Sequence, residues 1–124
     1  MGSVQVARGS DLSEGVSTDT LTRRLSDVDD LVTVDEAHTA PQASPGWHNH
    51  GENTAYVYVL RGQLRIEWGP AGRESADLAA GDFYVIAPNT IHRETNPGSE
   101  EQVLIAFLVG PGPIAVNVDG PEPQ

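Results

Sequence analysis

Downstream of residue 47 the chain is a succession of short apolar-rich runs separated by Gly, Pro and Asn breaks. They read AYVYVL (55–60), QLRIEW (63–68), ESADLA (74–79), DFYVIA (82–87), IHRETN (91–96) and QVLIAFLV (102–109). Several alternate with period two, which is the signature of a strand with one face buried. Ala55, Val57 and Val59 share one face of their run and Tyr56 and Tyr58 the other; Leu64, Ile66 and Trp68 oppose Arg65 and Glu67 in the next. Upstream, LVTVDEAHTA (31–40) alternates in the same way before the break PQASPG. No apolar period of helical length occurs after residue 47. The pattern predicts an all-β sandwich or barrel, and a jelly roll fits this size while limiting open edges.

The ends differ from the middle. Residues 1–30 are rich in Ser, Asp, Thr and Gly and read as a flexible polar arm, with Leu21 and Leu25 spaced for one helical turn. Residues 31–118 are expected to form the single barrel domain and 119–124 a tail. Within the barrel segment IAVNV (114–118) reads as a further strand, expected to be swapped onto a partner.

The 124 residues carry 18 Asp and Glu against 7 basic residues, all Arg, for a net charge of −11. Such a chain repels phosphate backbones and anionic lipid surfaces, which argues against nucleic-acid and membrane partners. The absence of cysteine removes thiolate chemistry and cysteine-bound metals, so any metal must be held by His, Asp or Glu. No signal peptide or membrane span is legible, and a cytoplasmic location is expected.

Four histidines are present. In a strand, residues two apart point to one face with Cα atoms roughly 6.5–7 Å apart. His48 and His50, in PGWHNHG, can therefore aim both imidazoles at one point. A surface His-x-His pair is also common, and the pair alone is weak evidence. The run GDFYVIAPNTIHRETN adds His92, which an antiparallel return carries back beside the earlier strands.

These two stretches together resemble the paired motifs of the cupin superfamily. His48, His50 and Gly62 fill the His-x-His and closing Gly of the first motif; Gly81, His92 and Asn96 fill the second. Ala87 stands at the second motif's Pro place with Pro88 following, and Asn89 replaces its internal Gly. Asn tolerates the left-handed conformation better than most residues. The resemblance spans about residues 30–110 and implies a single-domain RmlC-like cupin barrel. It departs from the pattern at Ala55, where the family's metal-binding Glu stands. Glu52 and Asn53 lie nearby without the usual spacing.

The resemblance therefore implies a divalent metal on His48, His50 and His92, which would also be the catalytic residues. Three neutral ligands leave the ion its full charge, an attractor for an anionic chelator, with positions open to substrate. Fe(II) ranks first, then Zn(II), Mn(II) or Ni(II). The expected activity is metal-dependent chemistry on a small oxygen-rich molecule, with dioxygenation first. A redox-neutral or metal-independent cyclase, isomerase or dehydratase is the alternative, followed by a non-catalytic small-molecule-binding cupin. Glu94 shares parity with His92 and can enter the cavity, or sit at its mouth beside an Arg. Phe83, Val85, Ile105 and Phe107 are candidate pocket walls. Arg93 reads as a surface charge, His38 as structural or exposed, and Trp47 as packing between sheets. The resemblance implies a homodimer, with Tyr56 and Tyr58 at the contact.

Overall fold

The computed structural model describes residues 2–15 and 17–124. Its strands form two antiparallel sheets packed as a jelly roll. One runs β1 (Ser13–Glu14), β2 (Leu21–Asp27), β3 (Val32–Thr39), β10 (Gln102–Val109), β5 (Thr54–Arg61) and β8 (Phe83–Ile86). The other runs β11 (Val116–Asn117), β4 (His48–Asn49), β9 (His92–Thr95), β6 (Gln63–Trp68) and β7 (Glu74–Ala79). No helix among the described residues is long and apolar enough to cross a membrane.

Side-chain alternation decides what lies between the sheets. Ala55, Val57 and Val59 of β5 turn inward with Leu104, Ala106 and Leu108 of β10, meeting Leu64 and Ile66 of β6. Fully burying a Val or Leu side chain is worth about 1.5–3 kcal/mol, so this cluster supplies the main drive for closing the two sheets. Turn chemistry fixes the corners. Gly62 has φ +84, and a Cβ there would meet the Glu101 carbonyl oxygen at 2.9 Å. Asn89, standing where the cupin pattern has Gly, adopts φ +58, the left-handed conformation that Asn accommodates.

Two expectations for the ends change. Residues 21–27, assigned above to a flexible arm, form β2, which pairs with β3 from Leu21↔Thr39 to Asp27↔Thr33. The four-residue Leu spacing suits one helical turn, but an isolated turn is unstable. Pairing along β3 gives backbone partners to one edge of these seven residues and turns Leu21 and Arg23 inward. Met1 and Val16 lie outside the described residues. At the other end, the expected strand over 114–118 shortens to β11, Val116–Asn117, which pairs with β4 of the same chain, Asn117 opposite His48.

The outer face of the first sheet is apolar over β10, β5 and β8. Phe83 is 74% and Phe107 46% exposed, with Val85 and Tyr56 beside them, and Phe83 packs on Tyr58 at 4.7 Å between ring centroids. Tyr84 and Ile86 take the inward face of β8, while Phe83 and Val85, though largely exposed, border with them and with His92 a pocket of about 460 Å³ that Phe107 does not reach.

Candidate metal centre

Strands β4 and β9 lie side by side with His48 directly opposite His92, and their ring centroids are 4.3 Å apart. His50, just past the end of β4, brings its ring within 5.2 Å of His48 and 5.1 Å of His92. One nitrogen from each ring lies within 4.8 Å of the other two. All three residues are buried, His92 completely. As strand parity predicts, three imidazoles from distant parts of the chain converge.

The backbone sets which nitrogen faces the centre. Nδ1 of His48 lies 3.2 Å from the Gly46 carbonyl oxygen, that of His50 2.6 Å from Ile114, and that of His92 2.9 Å from Thr90. A carbonyl only accepts, so each Nδ1 carries the proton and each Nε2 presents a lone pair. The Nε2 atoms of His48 and His92 are buried and have no hydrogen-bond partner. A buried nitrogen with no partner is costly unless something absent from the protein chain meets it. Three neutral imidazoles arranged this way fit a divalent transition-metal ion, and those residues would hold it.

Several other expected residues acquire clear roles. Asn53 is buried and away from the centre; its Nδ2 donates to the Pro113 carbonyl at 2.8 Å and its Oδ1 accepts from Gly112 N at 3.2 Å. It thereby anchors the segment whose Ile114 carbonyl orients His50. Glu52 is exposed and takes no part in the cluster. Arg93 faces outward, pairs with Glu67 at 2.9 Å and lies over the Trp47 ring at 4.7 Å. Trp47 is thus partly exposed beneath an arginine rather than packed between sheets. His38 sits on the outside between Glu36 and Glu101.

Glu94 does enter the cavity, and its neighbour is not an Arg. Its Oε1 lies 3.5 Å from His48 Nε2 and 3.4 Å from His92 Nε2, while its Oε2 accepts a hydrogen bond from the Tyr84 hydroxyl. Burial raises its carboxyl affinity for protons, but the two imidazoles, once protonated at Nε2, outweigh that and hold it well below the usual range. Burial acts on His92 in the direction of a lower pKa, and the Glu94 carboxylate reverses it to a raised one. The Tyr84 phenol is pushed well above its ordinary value by burial and by Glu94.

His50 goes the other way: burial pulls its pKa down from 6.5 to about 4. Below pH 6.5 the unfolded chain therefore takes up a proton at this residue that the fold refuses until about pH 4. Stability falls across that window, by up to about 3 kcal/mol. Urea denaturation of metal-free protein at pH 7 and pH 4.5 should show this loss, and His50→Gln should shrink the difference. An unchanged difference would mean that His50 is not the group responsible.

Arg23 and Asp35 are functional candidates that the sequence reading missed. They form a buried ion pair from β2 and β3 on the wall facing the histidines. The signal was the alternation of Leu21 and Arg23 against Thr22 and Arg24, masked by the polar composition of the N-terminus. Desolvation raises the Asp35 pKa despite Arg23, and Asp35 Oδ1 is buried without a partner. Arg23, Asp35, His48, His50 and Glu94 line a small internal cavity with about 30 Å³ of free volume, room for about two waters. Arg23 and His48 also line an adjoining cleft of about 660 Å³ between β2 and residues 114–118.

The family model described as "Cupin domain" matches residues 36–109. No curated protein matches the chain. Among solved structures, Bacillus subtilis oxalate decarboxylase, described with Mn(II) centres, superposes with a TM-score of 0.76 at 18% identity, over 86% of this chain and 30% of its own. A formate complex of Lactobacillus farciminis oxalate decarboxylase gives 0.76 at 17% identity, over 88% and 34%. The chain thus spans about a third of those proteins' length. At such identity the likeness is one of fold.

Proposed function

Because the chain belongs to the cupin family, we propose that it is a divalent-metal enzyme acting on a small, oxygen-rich anion, with His48, His50 and His92 as metal ligands. The observation that carries this reading is the set of three buried imidazoles whose Nδ1 atoms are tied to carbonyls while their Nε2 atoms face one another. Bound there, Fe(II) or Mn(II) would supply Lewis acidity toward an anionic oxygen and the capacity for one-electron chemistry with dioxygen.

The chain's own residues do the rest. His48 and His92 are fixed by paired strands and His50 by the 112–114 segment, so the donors are in place before a substrate arrives. The inner cavity suits water or a diatomic molecule, and the larger cleft suits the organic substrate. Arg23 lines both, but its charge is taken up by Asp35, so the attraction for an anionic ligand would come from the bound divalent ion. Leu21, Ala37 and Val57 provide apolar walls that keep bulk water from the centre.

Iron-dependent dioxygenation remains the first specific reading. The manganese centres named for the Bacillus subtilis decarboxylase make redox-neutral C–C cleavage by a Mn(II) form the second. Elemental analysis of untagged protein, followed by oxygen-electrode assays of the Fe(II)- and Mn(II)-loaded forms with small enols and dicarboxylates, separates them. Near-stoichiometric iron and substrate-dependent oxygen uptake are expected. Carbon dioxide release without net oxygen uptake would select the second. Failure to bind any divalent metal would end both.

A further inference from the structure

The centre holds one more group whose placement the cupin pattern does not anticipate. We propose that Glu94 is a fourth metal donor, a carboxylate supplied from β9 in place of the one the pattern puts at position 55. This rests on the metal-centre reading above.

Position 55 fixes the starting point. Ala55 is buried on β5, opposite Ile86, and its methyl group lines the same cavity as the histidines. The side chain at that place points the right way but has no donor atom. On the facing sheet, Glu94 lies two residues beyond His92 on β9, on the same side of the strand. Arg93 between them turns outward to Glu67. The cavity therefore keeps a carboxylate beside the imidazoles, delivered from the opposite wall, while its other carboxylate, Asp35, is paired with Arg23.

Distances discriminate between two roles for it. A hydrogen bond from imidazole to carboxylate would place nitrogen and oxygen about 2.7–2.9 Å apart. The separations of 3.5 and 3.4 Å are longer than that, and both Nε2 atoms have no hydrogen-bond partner. Two donors each about 2.0–2.2 Å from one divalent ion stand about 3–3.5 Å apart. The spacing of Glu94 from His48 and His92 is thus that of atoms sharing an ion rather than a proton. The other oxygen is engaged by the Tyr84 hydroxyl, leaving Oε1 alone toward the imidazoles. A ligating carboxylate held by its own hydrogen-bond donor is the usual arrangement around a metal. Nor is Glu94 needed to balance the nearest buried cation, since Arg23 is paired with Asp35.

One consequence is electrostatic. Three imidazoles leave a divalent ion with charge +2; adding Glu94 leaves +1, which moderates its Lewis acidity and stabilises a more oxidised ion. Such a set suits iron or manganese better than a purely hydrolytic zinc centre.

Cobalt(II) titration tests the proposal without reference to turnover. Wild type, Glu94→Gln, Glu94→Ala and Tyr84→Phe would be loaded with cobalt(II). Affinity would be measured by chelator competition, the visible spectrum recorded, and folding checked by circular dichroism. Glu94→Gln, nearly isosteric, should weaken binding by at least about tenfold and Glu94→Ala by more than about a hundredfold, both with altered visible bands, while Tyr84→Phe, which removes only the group behind the ligand, should cost about tenfold. If both Glu94 variants keep the wild-type affinity and spectrum while His92→Ala loses cobalt(II), Glu94 is no ligand and this proposal alone falls. If wild type itself binds no cobalt(II), iron or manganese, the metal-centre reading falls with it.

Discussion

Replacing His92 by Ala is expected to reduce metal affinity by more than about a hundredfold, since loss of even a group behind a ligand costs about 10–100-fold. The variant should leave the fold standing. His92 faces His48 across the β4–β9 pair and reaches toward His50, so it is the shared neighbour of the cluster. Without it, two imidazoles remain and the third direction is empty. The stability of the metal-free protein should change less, because the ring contributes one Nδ1 hydrogen bond to Thr90 while its Nε2 is buried without a partner. Removing an unsatisfied polar atom offsets part of the packing lost. Chelator competition for affinity, with near-ultraviolet circular dichroism for folding, checks both halves. Wild-type affinity in a folded His92→Ala protein would remove the basis for a metal function here.

Much of this centre could be read before any coordinates, because its two strand segments obey period two. Parity put His48 and His50 on one side, and the Pro88–Asn89 turn returned His92 to them. Parity failed where both faces of a strand are apolar. In β8, Phe83 and Val85 alternate with Tyr84 and Ile86, and hydrophobicity alone does not say which pair turns inward. The choice was made by the partner strand, since Ile86 sits opposite buried Ala55. β2 escaped notice for the opposite reason. Its inward face carries Arg23, whose charge is matched by Asp35 on the neighbouring strand, and such compensation between distant residues has no local pattern. Glu94 lay between these cases. Its side of β9 was legible, but its neighbour Tyr84 belongs to the other sheet.

Asn96 tests whether the second motif's terminal Asn serves the frame rather than the chemistry. It is completely buried four residues beyond His92, and its Nδ2 faces three carbonyl oxygens, Thr39 at 3.1 Å, Ala40 at 3.2 Å and Glu100 at 2.8 Å. Its Oδ1 accepts from Gly98 N at 3.0 Å. One side chain therefore ties the end of β9 to the end of β3 and to the turn leading into β10. Asn96→Ala would strip these partners together, and each buried group left unmet costs about 1–3 kcal/mol. An overall loss of about 3–5 kcal/mol is expected, lowering the melting temperature of metal-free protein by about 10–20 °C. Asn96→Asp should be similarly destabilised: it keeps the shape, but an ionised carboxylate has no proton for those carbonyls. That pairing separates hydrogen bonding from packing. At low temperature, where the variants still fold, cobalt(II) affinity should stay near wild type, because the carbonyls holding His48, His50 and His92 belong to Gly46, Ile114 and Thr90. A folded Asn96→Ala protein with normal melting but impaired metal binding would reverse the assignment and move Asn96 into the site.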